Sequence, residues 1–505
     1  MSLRIRIAVG LFGTILVAFQ SLPALRAAST LTSPVRAGLN NQGTIEERIR
    51  RVEQGLLTAI QVPGSANTHT LAERMRQLRV PAVSIAVINN GRIEWARAYG
   101  VIESGQPARA GTTTLFQAAS ISKPVAAMGA LHLVELGRLA LDEDVNKRLI
   151  SWKVPENDKT KDQKVTLRRL LSHSAGLTVH GFPGYAKGDP VPIIVQVLDG
   201  EKPANTQPVR VDTVPGTIWR YSGGGISIAQ LLMMDVTGEP FPRFMRESVL
   251  APLGMTNSTY EQPLPEARRA QAASGHRPNG DVVQGKWHTY PEMAAAGLWT
   301  TPTDLCKFAI EIQKSRAGQS NRVLSPEMTS QMLLVQKGKW GLGIGVDGKG
   351  KNQEFSHGGS NEGFRCQLVA YTELGMGAAV MTNSDTGGQI AEEILRAISA
   401  EYGWPSLKPV EKPASNVDPK TLKQFAGKYT LLNGPLEVTF VDSHLVLNAP
   451  HVGILDADLA PESDSSFLLT TMENITISFE KDSGGEVSEM VVKVGGQTFK
   501  GKRAK

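Results

Sequence analysis

The 505-residue chain predicts a mixed α/β (α+β) fold in two parts. An antiparallel sheet covered by helices, with an all-helical subdomain, comes first, and a small all-β barrel-like domain ends the chain. Three observations carry this. Hairpin signals stand at both ends of residues 82–383 with helical segments between them, and a sheet built from hairpins is antiparallel and packs helices on a face. Four prolines fall within WPSLKPVEKPASNVDP, residues 404–419, a composition that makes a stiff linker. Beyond it, apolar and polar residues alternate with the two-residue period of strands.

Taken in order, TIEERIRRVEQGLLTAI opens with a capping box, Thr44 to Glu47, and reads as an amphipathic helix. VSIAVINNGRIEWARAYG is two strands joined at Asn90–Gly91, a hairpin signal. SISKPVAAMGALHLVELG has helical spacing and stops at Gly137. Pro124 is tolerated only in a first turn, so this helix is expected to begin close to Ser120. An apolar helix is expected from near Ile226. RCQLVAY and MGAAVMTN, joined by TELG, form another strand pair, and GGQIAEEILRAISAEYG follows as a helix with Ile390, Ile394 and Ile398 on one face. LEVTF, HLVLN, ITISF and a VVKV–GG–QTF hairpin fill the last stretch. The expected organisation is a leader at 1–28, a main domain at 44–403, the linker at 404–419 and the β domain at 420–505.

The first 28 residues read as a secretory signal. Arg4 and Arg6 precede the apolar run AVGLFGTILVAF, and small residues follow at Ala27–Ala28. The run is short for a membrane span, so no stable span is expected, and the protein is expected to be exported, periplasmic or secreted, with a retained, uncleaved anchor as the alternative. Net charge is +6, from 54 basic and 48 acidic residues, and without Arg4, Arg6 and Arg26 it is +3. No basic stripe interleaves with aromatics, which argues against nucleic acid as a partner. Two cysteines, Cys306 and Cys366, are no disulfide framework; they either pair or remain two half-buried thiols. No cluster of His, Asp or Glu has metal-ligand spacing, and nothing calls for a metal or another cofactor.

The chemistry concentrates in three segments. In SISK, Ser120 and Lys123 are three apart and share a helix face. Burial and the helix dipole both disfavour an ammonium there, which would make Lys123 a neutral base beside a hydroxyl nucleophile. The same spacing also suits a serine helix cap with a solvent-facing lysine. In WRYSGGG, Tyr221 offers a second proton-transfer group, and the glycines from Gly223 allow a close backbone approach. In SHGGSNEGF, His357 precedes Gly358, Gly359 and Ser360 next to a strand; the imidazole can assist proton transfer, and the amides of Ser120 and Ser360 can make an oxyanion hole.

Together these three segments, in this order and at these spacings, resemble the serine β-lactamase and penicillin-binding-protein superfamily, in its class C-like branch of esterases, D-amino-acid peptidases and related hydrolases. VPAVSIAVINNGRIEWARAYG, VTLRRLLSHSAGL, APLGMTNS and AAAGLWTTPTDLCKF add to the match, which spans roughly residues 75–400. The resemblance implies Ser120 as acylated nucleophile, Lys123 and Tyr221 as proton-transfer pair, His357 in the third motif, and His173 of LLSHSAGL as scaffold. It also implies a small-molecule or peptide substrate. The segment from FAGKYTLLNGPLEVTF onward resembles the lipocalin-like barrel appended to some peptidases of this branch.

Two positions depart from that family. Gly223 stands where an Asn amide usually holds the substrate, and His357 where Lys or Arg usually binds its carboxylate. An ordinary imidazole is at most partly charged at neutral pH. The expectation is a hydrolase of an ester, amide or peptide bond with weak or no β-lactamase activity. A non-catalytic or slowly deacylating penicillin-binding sensor on the same fold is the alternative.

Overall fold

The computed structural model describes residues 43–64, 68–431 and 434–504, so the expected leader lies outside the described residues. Helix α1 (Ile45–Gln54) starts at the predicted capping box, with Thr44 Oγ1 accepting from the Glu47 amide and the Glu47 carboxylate accepting from the Thr44 amide. The main sheet has six strands: β1 (Ala82–Asn89), β2 (Arg92–Gly100), β3 (Gly345–Asp347), β4 (Glu354–Asn361), β5 (Phe364–Tyr371) and β6 (Gly377–Thr382). Their order is β2-β1-β6-β5-β4-β3, and every pairing is antiparallel. Asn90 and Gly91 both take positive φ, 51° and 68°, as a two-residue turn matched to strand twist requires.

The two faces of the sheet build separate cores. On one, Val83, Ile85 and Val87 meet Ile49 and Val52 of α1 and the Ile390, Ile394 and Ile398 face of the C-terminal helix Gly387–Tyr402. On the other, Ala82, Ala86 and Ile88 join the core of α2 (Ser122–Glu135), α3 (Gly223–Thr237) and the helix Pro302–Arg316. Alternate residues of one strand thus serve opposite layers. α2 is buried on nearly every side, which fits its apolar composition all round. The helices between β2 and β3 form the helical subdomain that roofs this face.

The C-terminal strands close into an eight-stranded antiparallel barrel, the first (Gly427–Leu431) pairing with the last (Gln497–Arg503). Side chains fill its interior. Phe425 stacks on Phe479 at 4.7 Å, Phe467 and Tyr429 pack beside them, and an apolar cavity of about 30 Å³ remains. That volume is on the scale of one water molecule, and packed side chains fill the barrel around it.

One reading is refined and one open alternative is decided. Residues 404–419 are fastened to the body: Trp404 is fully buried, and Val410–Glu411 pairs in parallel with Ile60–Gln61. Apolar Trp404 and the free backbone of this segment find partners that composition alone does not reveal. Cys306 and Cys366 are free and buried on separate elements, and desolvation pushes both thiols up in pKa. They do not pair.

Candidate active site

The nucleophile turn is set just ahead of α2. Ser120 sits in a 3-10 turn (Ala119–Ile121), and the α-helix proper begins at Ser122, two residues later than expected. Ala119 has φ 48°, a left-handed conformation that a non-glycine residue adopts at a cost. Neighbours hold it there. Ser122 Oγ donates to the Ala119 carbonyl and accepts from the Leu298 amide at 3.0 Å, and Tyr260 Oη donates to the Ser122 carbonyl at 2.6 Å. Cys366 Sγ on β5 donates to the Ala118 carbonyl at 3.1 Å.

This arrangement places Lys123 Nζ 2.9 Å from Ser120 Oγ. The same nitrogen donates to the Ala295 carbonyl at 2.7 Å, from the short helix α4 (Met293–Ala296). Lys123 is 3% exposed, and desolvation brings its pKa down to about 7. Among the described residues no carboxylate pairs with it to restore the charge. In the neutral amine one N–H is committed to Ala295 and the lone pair is left for the Ser120 hydroxyl. The sequence-level alternative, a solvent-facing lysine, is excluded by this burial.

Tyr221 lies across Lys123, whose Nζ is 5.0 Å from the phenol ring centroid. Burial pushes the phenol up in pKa and the Ser120 hydroxyl opposes this, so Tyr221 is a neutral O–H at physiological pH. Ser222 caps α3, its Oγ accepting from the Gly225 amide at 3.0 Å. The three glycines therefore occupy the helix's first turn, earlier than the start expected near Ile226. Gly223 is packed, with no open space beside it: a Cβ there would meet the His180 carbonyl and the Phe182 ring, each at 3.0 Å. The space an Asn side chain would need is filled by the loop before α3.

His357 is on β4, the strand whose outer edge β3 covers only as far as Ser356. Past that point the edge lies against the nucleophile turn. Gly359 is what allows the approach, because a Cβ would stand 2.3 Å from the Ala118 carbonyl oxygen and 2.4 Å from Cys366 Sγ. Gly358 lies beside Gln367 of β5, and Ser360 is exposed at the same edge. Asn361 ties the strand end down through Nδ2, donating to Gln117 Oε1 at 2.8 Å and to the Ala296 carbonyl at 3.1 Å.

The imidazole of His357 differs from the expected partly charged group. It is 3% exposed, and desolvation, with Lys123 nearby, brings its pKa down to about 3. Nδ1 is 2.7 Å from the Gly358 carbonyl, which can only accept, so Nδ1 carries the proton and Nε2 the lone pair.

The structure thus brings Ser120, Lys123, Tyr221 and His357 into one cluster, adds Trp340 and Ala295, which sequence reasoning missed, and draws in His173, expected only as scaffold. Trp340 stands edge-on to Tyr221 (5.8 Å) and to His357 (5.3 Å). His173 packs on the Tyr221 ring at 4.2 Å. Ala295 contributes only a carbonyl, which no motif search can find. Trp340 lies in KGKWGLGIG, a glycine-rich stretch that offered the one available signal.

Comparison with known proteins matches the Beta-lactamase family model to residues 67–401. The chain belongs to the β-lactamase family. Penicillin-binding protein 4 of Amycolatopsis lactamdurans is 24% identical over 375 residues, 71% of this chain and 96% of the relative. A putative D-alanyl-D-alanine carboxypeptidase of Escherichia coli K12 is 26% identical over 280 residues, 54% of this chain and 58% of the relative. The solved D-amino acid amidase of Ochrobactrum anthropi SV3 superposes with a TM-score of 0.54 at 20% identity, covering 70% of this chain and 99% of that one. The family is one of serine hydrolases, and the β-lactamase fold here carries an added C-terminal barrel.

Proposed function

We propose that this member of the β-lactamase family is an exported hydrolase that cleaves neutral ester, amide or peptide substrates through an acyl-Ser120 intermediate, with weak or no β-lactamase activity. The observation that carries it is Lys123 Nζ, near-neutral and 2.9 Å from Ser120 Oγ. Ser120 Oγ attacks the carbonyl carbon while its proton passes to Lys123. The oxyanion is received by the amides of Ser120 and Ser360, a pairing supported by the contact of β4 with the nucleophile turn. Tyr221, protonated at working pH, donates to the leaving group and is reprotonated by Lys123. Water then attacks the acyl carbon as it gives a proton to the Lys123–Tyr221 pair, and the pair returns that proton to Ser120 as its oxygen leaves.

The specificity half of the reading rests on His357 and Gly223. A neutral imidazole with its proton on Nδ1 presents no cation to a carboxylate, and Phe182 and the His180 carbonyl crowd the place of a Cβ at position 223. A missing charge-assisted hydrogen bond costs about 1.5–3 kcal/mol, roughly 10–150-fold in rate. Steady-state rates on a neutral chromogenic ester and a chromogenic cephalosporin test this. The ester should lead by at least about 100-fold in kcat/KM; equal rates would make the protein a β-lactamase. Export is supported by the Arg4, Arg6 and apolar-run pattern. Cell fractionation, with N-terminal sequencing of the exported form, tests it; a cytoplasmic, full-length product would refute it.

A further inference from the structure

We infer that His173 is a positioning residue for Tyr221, gripping three consecutive residues of the second motif so that the phenol is held at Ser120. This rests on the proposed role of Tyr221 in proton transfer. The three contacts come from three different parts of one residue. The His173 carbonyl accepts from the Arg220 amide at 2.8 Å. Its ring lies on the Tyr221 ring at 4.2 Å and 36°. Its Nδ1 accepts from the Ser222 amide at 3.2 Å.

Backbone geometry explains how one residue reaches all three. His173 has φ 55°, in the left-handed region, which turns both its carbonyl and its side chain towards residues 220–222. The cost of that conformation is borne in a buried loop, where the surroundings over-determine it. His180 also contacts Tyr221, its ring 4.8 Å away and its Nδ1 donating to the Tyr221 carbonyl at 3.2 Å. Trp340 closes the remaining flank, 5.1 Å from His173 and 5.8 Å from Tyr221. A phenol so enclosed has little freedom to swing away from Ser120.

The grip requires a particular form of the ring. The Ser222 N–H points at Nδ1, so Nδ1 holds the lone pair and the proton is on Nε2. An imidazolium has no lone pair to offer. Burial keeps the ring neutral, and the charged or chargeable groups around it, Lys123, His357 and His180, all act in the same direction. Phenylalanine would keep the ring face and lose the acceptor. Asparagine would lose the ring, keep an acceptor near the Nδ1 place, and tolerate the left-handed φ. Glutamine would place its amide near Nε2 instead.

A double-mutant cycle with Tyr221→Phe tests the inference, with kcat and KM measured on a neutral ester. His173→Phe in the wild type should lower kcat about 10–100-fold with KM within about threefold, the scale of a misplaced catalytic group. In the Tyr221→Phe background the same change should cost less than about threefold, because no hydroxyl is left to position. A merely structural role would cost the same in both backgrounds, and that result overturns the inference, as does a loss under threefold in the wild type. If His173→Phe does not fold, His173→Asn and His173→Gln replace it: Asn should retain more kcat than Gln, and the reverse order overturns the inference. Full activity in Tyr221→Phe alone would instead remove the proton-transfer reading beneath it, a distinct outcome that takes the inference with it.

Discussion

Lys123 is a cation by composition and a base by location. Burial among α2, α3 and the Ala295 carbonyl is the whole cause of its depressed pKa of about 7. The rate should therefore rise with pH through about 7, as the ammonium loses its proton, and then level off; a profile already flat below pH 6 would contradict this assignment. Ser120→Ala should lower kcat on the order of 10³-fold or more, and a serine-directed acylating probe should label only the SISK peptide, as peptide mass mapping would show. Glu292 shows the reverse effect of burial on an acid. It is fully buried, and desolvation brings its pKa up to about 8 from 4.5. Between those values the native state holds a proton that the unfolded state has lost, so this group's contribution to stability falls as pH rises from about 4.5 to 8. Glu292→Gln should flatten that slope and leave the protein more stable by a few kcal/mol at pH 8–9. Urea melts at pH 5 and 8.5 measure this, and an unchanged slope would mean the carboxyl is ionised in the native state.

At the scale of elements, the informative piece is the turn between Phe116 and α2. Its second serine, Ser122, is wholly buried. Its hydroxyl joins the strained Ala119 to the strand after α4 through Leu298. Ser122→Ala leaves the buried Leu298 amide without its partner, at about 1–3 kcal/mol, and takes from the Ala119 carbonyl one of its two donors, the Ser122 backbone N–H remaining. The expected result is a melting temperature lower by several degrees together with a fall in kcat, since Ser120 follows Ala119 directly. Unaltered kcat with a lowered melting temperature would separate the turn's stability from the nucleophile's placement. The spacing of Ser120 and Lys123 was readable from the chain because a single helical turn brings them together. The role of Ser122 was not, because both of its partners depend on how that turn packs.

For the whole molecule, a buried ion pair of the hydrolase body reaches a half-exposed carboxylate of the barrel. Arg74 is 1% exposed, meets Glu393 at 2.8 Å and reaches Asp456 of the barrel at 3.3 Å. Ile60 also donates its amide to the Thr470 carbonyl at 2.9 Å, and Leu455 of the barrel joins the core behind the sheet. Arg74→Met strands the Glu393 carboxylate in that interior and should destabilise by about 3–5 kcal/mol, measured by urea unfolding. The double change Arg74→Met, Glu393→Leu should recover most of that loss; failure to recover would show that packing and Asp456, more than the stranded charge, account for the cost.

The sequence by itself determined what is local or periodic. Thr44 and Glu47 start α1 because capping spans three residues, Asn90–Gly91 turns the first hairpin because two adjacent residues must take positive φ, and strict alternation after residue 420 makes strands. The order of three short motifs was equally visible and was enough to recognise the family. Only the tertiary structure decided what depends on burial and on segments far apart in the chain. It made His357 neutral with its proton on Nδ1, packed Phe182 beside Gly223, and fastened residues 404–419 to the body. It also set His173 against Tyr221, 48 residues away in the sequence and 4.2 Å away in space. Charge state and packing are properties of a surrounding shell, and the shell is assembled from residues whose proximity no local pattern encodes.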